Sequence, residues 1–127
     1  MDTNLSVART DPPEVVTVNR PWGKFDLLVD NEPVSVKIII VEPNQELSLQ
    51  THALRSEWWT ILDGSAEVEL NGEKSTLIAG ERFFIPQGAK HRAKGLNEGC
   101  RWLEIIFGHF DENDIVRLED KYGRTEV

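Results

Sequence analysis

The chain is poor in cross-linking residues and in positive charge. It has 127 residues and a single cysteine, Cys100, so no disulfide can form within it, and the thiol reads as a small, inert core group. An unpaired cysteine suits a reducing compartment, and a cytoplasmic setting is expected. No apolar run approaches the ~20 residues needed to span a bilayer, which argues against a membrane partner. The N-terminal stretch MDTNLSVARTDPPE lacks an apolar core followed by a cleavage site, so no secretory signal is read there. Lysine and arginine number 14 against 22 acidic residues, for a net charge of −8. Such a balance argues against nucleic acid, since tracking a phosphate backbone calls for a basic face. Helical periodicity is also scarce. The best helix candidate is a short one near DENDIVRLEDKYG (111–123), and that segment reads equally well as an acidic loop followed by an edge strand.

What the chain has is a succession of short strands and turns. VSVKIIIV (34–41) and RWLEIIFG (101–108) are rich in residues that suit a pleated, half-buried surface. In SAEVELNGEKSTLI (65–78), Ala66, Val68 and Leu70 alternate with Glu67 and Glu69, and Asn71–Gly72 is a strong hairpin signal. Asp63–Gly64 marks another tight turn. Residues 1–14, ending after Pro12–Pro13, read as a flexible or loosely docked arm, and residues 15–127 as one all-β domain, a sandwich or small barrel.

The chemistry gathers in two places. In ELSLQTH (46–52), strand alternation puts Leu47 and Leu49 on one face and Ser48, Gln50 and His52 on the other. Arg55, Glu57, Trp58 and Trp59 follow at once. In ERFFIPQGAKH (81–91), Pro86 and Gly88 form a turn that can fix His91 at the mouth of a barrel. Lys90, Arg92 and Lys94 around His91 form a local basic patch suited to a small anion; Lys94 reads as solvated. Arg55 can clamp a phosphate or an enediolate through two parallel hydrogen bonds. Trp58 and Trp59 read first as core, although an indole face can also wall a sugar pocket. His109 has no motif around it and is assigned to structure.

GERFFIPQGAKH (80–91) resembles the second motif of the cupins: a glycine, five residues, Pro-x-Gly and then a histidine. RPWGKFDLL (20–28), LSLQTHALRSEWW (47–59) and DENDIVRLEDKYGR (111–124) resemble, more narrowly, the type II mannose-6-phosphate isomerase domain, from about Arg20 to Arg124. In many bacterial enzymes that domain follows a guanylyltransferase domain; no such half is present here and guanylyl transfer is not expected. The family's first motif resembles Ser-Leu-Gln-x-His-His-His-Arg-x-Glu-His-Trp. Ser48, Leu49, Gln50, His52, Arg55, Glu57 and Trp59 match it, whereas Ala53, Leu54 and Trp58 stand where the family has histidines.

The resemblance implies a cupin double-stranded β-helix, that is, a jelly-roll barrel or sandwich. It also implies a divalent metal, zinc or similar, held by His52, Glu57 and His91, with Leu54 in the place of a fourth ligand. The implied activity is isomerisation of mannose 6-phosphate to fructose 6-phosphate through an enediol. Catalysis would fall to Arg55, Glu57 and His91, with Glu57 and His91 as alternative bases. Substrate contacts would fall to Gln50, Arg55, Trp59, Lys90 and Arg92. No nucleotide cofactor is implied. The altered first motif supports a second expectation, a non-catalytic cupin that binds a sugar phosphate or nucleotide sugar. A homodimer is expected because small β-sandwiches commonly pair to cover exposed edges.

Overall fold

The structure is a computed structural model describing residues 7–125. Among these there are nine strands and no helix: β1 (Val16–Arg20), β2 (Gly23–Leu27), β3 (Ser35–Val41), β4 (Leu49–Thr51), β5 (Arg55–Leu70), β6 (Glu73–Ile78), β7 (Arg82–Ile85), β8 (His91–Gly108) and β9 (Val116–Glu119). The 111–123 segment takes the loop-and-strand form: a turn at 112–113, then β9 paired with β4. No helix is long and apolar enough to cross a membrane among the described residues.

Two strands organise the rest. β5 has 16 residues and β8 has 18, about three times a typical strand, and they pair antiparallel from Arg55↔Gly108 to Leu70↔His91. Each long strand changes neighbours along its length. The first part of β5 pairs with β7 and the second with β6. The second half of β8 pairs with β3, while its start meets β4 at Gln50↔His91. The change comes at an irregularity in the β5–β8 register, between Ile61 and Asp63 and again between Gly64 and Ala66. Bulges of this sort bend and twist a sheet. The result is a jelly-roll sandwich, the architecture the resemblance implies.

The bend needs glycine. Gly64 has φ +75°, and a Cβ there would lie 2.1 Å from the Gly99 carbonyl oxygen. Gly99, opposite, has φ +73° and would clash in turn with the Val41 carbonyl at 2.6 Å. The backbones of three segments therefore approach more closely than any side chain permits. Asp63–Gly64, read from sequence as a tight turn, is a kink inside one continuous strand.

Alternation through the kinked pair builds two apolar layers. Trp59, Ile61, Ala66, Val68, Ala93 and Trp102 face the interior, with Trp59 stacked on Trp102 at 4.2 Å between ring centroids. Trp58, Ile105 and Phe107 face the opposite side and are covered by Val15, Leu28, Val29, Val34 and Phe84. Adjacent tryptophans thus serve opposite faces of one strand. Cys100 is buried and unpaired, and burial together with nearby Asp63 pushes its thiol above the usual range, as an inert core group requires. Residues 1–6 of the arm lie outside the described residues. Farther along the arm, the Arg9 amide donates to Ser56 Oγ at 3.0 Å and its guanidinium lies 5.6 Å from the Phe107 ring centre.

Gly64→Ala combines a disfavoured φ with overlap against fixed backbone. It is expected to lower stability by about 2–4 kcal/mol, read as a fall in the urea midpoint; an unchanged midpoint would mean the kink tolerates a side chain.

Candidate functional site

Three segments bring polar side chains into the interior between the sheets. β4 and the residue after it supply Gln50 and His52, the start of β5 supplies Arg55, Glu57 and Trp59, and the first residue of β8 supplies His91. All six line one cavity of about 110 Å³, with Lys37, Ile39, Leu47, Glu104, Glu112 and Ile115. Gln50, His52, Arg55, Glu57 and His91 are all buried. The expected partition of Leu47 and Leu49 onto one face does not hold. A register shift between Leu49 and Gln50 lets Leu47 border the cavity, while Leu49 lines a separate surface groove.

Glu57 is the hub. Its Oε2 accepts from Arg55 Nε at 3.0 Å and its Oε1 from Trp59 Nε1 at 3.1 Å. His52 Nε2 lies 3.2 Å from Oε2, and His91 Nε2 lies 3.9 Å from Oε1. Burial alone would raise this carboxyl. The opposing interactions with His91, His52 and Arg55, and the Trp59 hydrogen bond, hold it below the ordinary value. It is a buried carboxylate.

The two imidazoles are fixed from behind. His52 Nδ1 donates to the Asp114 carbonyl at 2.7 Å, and His91 Nδ1 to the Ala89 carbonyl at 3.0 Å. With Nδ1 carrying the proton, each Nε2 presents a lone pair to the cavity. Burial is the main force holding both histidines below their ordinary pKa, so they are neutral near pH 7. Asp114 also locks the approach to β5, its carboxylate accepting from the Ala53 and Leu54 amides at 2.8 and 2.9 Å.

This donor set suits a divalent cation. His52, Glu57 and His91 each offer a ligand atom, all within 4.8 Å of one another, and two oriented imidazoles with one carboxylate match the chemistry of a three-ligand site. Gln50 is a fourth candidate on the same wall. Its Nε2 donates to the Ser48 carbonyl at 3.2 Å, so the amide oxygen is the end not committed to that bond. Leu54, in the place of a fourth ligand of the resembled motif, is half exposed and lies outside the cavity lining. Ala53 is exposed as well, and Trp58 belongs to the outer apolar layer. None of the three positions where the resembled motif has histidine lines the cavity.

Of the other expected contacts, Gln50, Arg55 and Trp59 are brought together, but Lys90 and Arg92 are not. They flank an inward-facing His91, so alternation turns them outward. Lys90 lines a groove with Asn71 and Gly72, and Arg92 ion-pairs with Glu119, Glu46 and Glu69. Trp59 is committed to Trp102, Phe83 and the Glu57 hydrogen bond, which makes it a brace for the carboxylate more than an open sugar platform.

Three charged cavity residues, Lys37, Glu104 and Glu112, escaped the sequence reading. Glu104 and Lys37 are cross-strand partners on β8 and β3, with Lys37 Nζ 3.7 Å from Glu104 Oε2 and 3.3 Å from Glu112 Oε1. Burial, reinforced by the Glu57 charge, pushes the Glu104 carboxyl up to about 8, against the pull of Lys37 and of the Trp102 indole that donates to it. The signal was in the alternation: Trp102, Glu104 and Ile106 share the inward register of an apolar strand, where a carboxylate needs a reason.

Fold and site together define a cupin with an intact polar cavity. The description of the mannose-6-phosphate isomerase C-terminal family matches residues 9–120, and the chain belongs to that family. It is 41% identical over 112 residues to the mannose-1-phosphate guanylyltransferase ManC of Salmonella typhimurium, covering 85% of this chain and 23% of the relative. It is 42% identical over 112 residues to the xanthan biosynthesis protein XanB of Xanthomonas campestris, covering 85% and 24%. The chain therefore spans about a quarter of the length of these relatives. Among solved structures, oxalate decarboxylase from Bacillus subtilis superposes with a TM-score of 0.58 at 26% identity, over 73% of this chain and 26% of that one. An RmlC-like cupin from Shewanella frigidimarina gives 0.57 at 20% identity, over 71% and 79%.

The titrations of this cavity act in opposite directions. Native His52 and His91 bind protons more weakly than in the unfolded chain, so their contribution to stability is lost as pH falls below about 6.5. Glu104 binds its proton more tightly when folded, so its contribution is present below 4.5 and lost as pH rises through about 8. Glu104→Gln removes only the second effect. The variant's urea midpoint is expected to gain on the wild type steadily between pH 5 and 8; a constant difference would show that Glu104 does not titrate there.

Proposed function

We propose that this chain is a sugar-phosphate isomerase of the mannose-6-phosphate type, acting in a cytoplasmic setting on precursors of nucleotide sugars and polysaccharides. The observation that carries the reading is the convergence of His52, Glu57, His91, Arg55 and Glu104 on one buried cavity in a chain of this family. His52, Glu57 and His91, with Gln50 beside them, would hold a divalent ion such as zinc, which when bound supplies Lewis-acid polarisation of the open-chain carbonyl.

The chain's own groups account for the proton. Glu57, fully engaged and held low, is a poor base, and His91 is needed as a ligand. Glu104 is the better one: buried, with a carboxyl at about 8, in reach of the cavity and not among the ligands. In its ionised form it takes the proton from C2 of the aldose as the C1 carbonyl becomes an enediolate; the O2 hydroxyl proton passes to O1, and Glu104 returns its own proton to C1 as the C2 carbonyl of the ketose forms. Arg55 faces the same space with donors suited to the enediolate oxygens. A cavity of about 110 Å³ is below the usual range for enclosing a whole ligand. The carbonyl end therefore enters and the phosphate stays at the mouth beside Lys37.

The same small volume, with Arg55 seated against His52 and Glu57, favours the second reading, a cupin that binds a sugar phosphate without turning it over. An assay with mannose 6-phosphate separates the two. Turnover is expected to vanish with chelator, return with added divalent ion, rise with pH toward about 8, and drop by at least about 100-fold in Glu104→Gln. Tight sugar-phosphate binding without turnover would replace the enzyme by the binding module.

For the quaternary state we propose a second copy of this chain against β3. That strand pairs only with β8 among the described residues, and Val36, Ile38 and Ile40 on its outward row are all more than half exposed. Its one charge, Lys37, points inward, so the row lacks the charge that usually protects an edge. The row is also symmetric about Ile38, as an antiparallel contact across a two-fold axis requires. Sedimentation is expected to show a dimer that Ile38→Glu converts to a folded monomer; a wild-type monomer at all concentrations, or an unaffected dimer, would overturn this.

A further inference from the structure

We propose that the Arg55 guanidinium is the resident cation of this cavity, and that a divalent ion binds only by displacing it. The proposal rests on the reading that His52, Glu57 and His91 can hold such an ion, and it adds a competitor from the chain itself.

The argument is one of lone pairs. His52 Nε2 and Glu57 Oε2 lie 3.2 Å apart. With the His52 proton on Nδ1, these are two acceptors facing one another on buried side chains, an arrangement that is costly unless something positive bridges them. Arg55 supplies the bridge, donating from Nε to Glu57 Oε2 at 3.0 Å and from Nη2 to His52 Nε2 at 3.1 Å. These are the same two atoms that would ligate a metal. The imidazole nitrogen has one lone pair, and a metal–nitrogen bond of ~2.1 Å leaves none for a guanidinium proton. A second positive charge in the same buried space also repels the first, more strongly than it would in water. Ion and guanidinium therefore exclude one another at His52.

The geometry provides for the exchange. Arg55 Nη1 is buried without a hydrogen-bond partner, on a side chain that is 5% exposed, so the guanidinium is only partly satisfied where it sits. Its carbon lies 5.3 Å from the centre of the Phe110 ring, near the mouth formed by Lys37 and Glu112. A guanidinium released from His52 retains that aromatic face and frees its donors for an anionic ligand entering the cavity. Loading the ion and arming Arg55 toward the substrate then become one event, and binding of an anionic ligand that pairs with Arg55 should tighten the ion. The opposing possibility is that Arg55 merely supports Glu57 from behind, in which case removing it would weaken the ion.

The two accounts differ in sign, which calorimetric titration of the chain with Zn²⁺ or Co²⁺ reads directly. Arg55→Met keeps much of the aliphatic bulk and removes the guanidinium; it is expected to bind the ion at least about tenfold more tightly than the wild type. Arg55→Lys, which cannot span both acceptors, is expected to fall between them and serves as the readout where the methionine variant does not fold. Equal or weaker binding in a folded variant would overturn the displacement and leave the three-ligand reading standing. No ion bound by the wild type or by either variant would remove both.

Discussion

Glu57 is a negative charge kept out of water, and the interior of the molecule is arranged around that fact. An isolated carboxylate in such a place would take up a proton instead of remaining ionised. It remains ionised because Arg55 and Trp59 donate to it directly. Each of its neighbours is in turn held by something else. Trp59 is stacked on Trp102, Arg55 faces Phe110, His52 is tied to Asp114 and His91 to Ala89. The hub is only as rigid as this outer ring, and the ring draws on four separate positions in the chain. That is why the cavity needs the whole jelly roll behind it.

The kinked β5–β8 pair makes the convergence feasible. Straight strands of 16 and 18 residues would extend well beyond a domain of this size at about 3.3 Å per residue. Gly64 and Gly99 let the pair bend where backbone meets backbone. His91 at the start of β8 and Glu104 near its end then face one cavity, although thirteen residues separate them in sequence. The β5–β8 register itself, with Trp59 opposite Glu104, makes Glu104 a neighbour of Glu57. Burial and the Glu57 charge push Glu104 up, while Glu57 is held down by its own partners against the effect of burial. A carboxyl near neutrality and a firm carboxylate thus stand in one cavity.

Much of this was legible in the chain. The Asn71–Gly72 hairpin falls where its dipeptide indicated, between β5 and β6. The alternation in ELSLQTH correctly grouped Gln50 with His52, and the proline–glycine turn did set His91. What failed was counting motif positions without their direction. Leu54 was read as standing in the place of a ligand because the resembled motif has histidine there, and positions 53 and 54 form an exposed bend outside the cavity lining. Lys90 and Arg92 were grouped with His91 by proximity in sequence, when alternation assigns them to the opposite face. Glu104 and Lys37 were missed for the converse reason: each sits in an apolar strand, and composition concealed a polar pair that register brings together.

These misreadings change what the altered motif means. If Ala53, Leu54 and Trp58 stood in the cavity, three missing imidazoles would argue for a site in decay. They lie outside its lining, and Trp58 has been taken into the outer apolar layer with Ile105 and Phe107, where a buried imidazole would have to be satisfied or stay neutral. The substitutions fall on the outer faces and the interior keeps its chemistry. A chain that had lost its use for the cavity would have little reason to retain Glu57 as a buried charge, since a carboxylate with incomplete pairing costs several kcal/mol where an apolar side chain of like volume costs nothing. That expense, with Arg55 held against Glu57 and His52, is the arrangement that the proposed exchange of one positive partner for another requires.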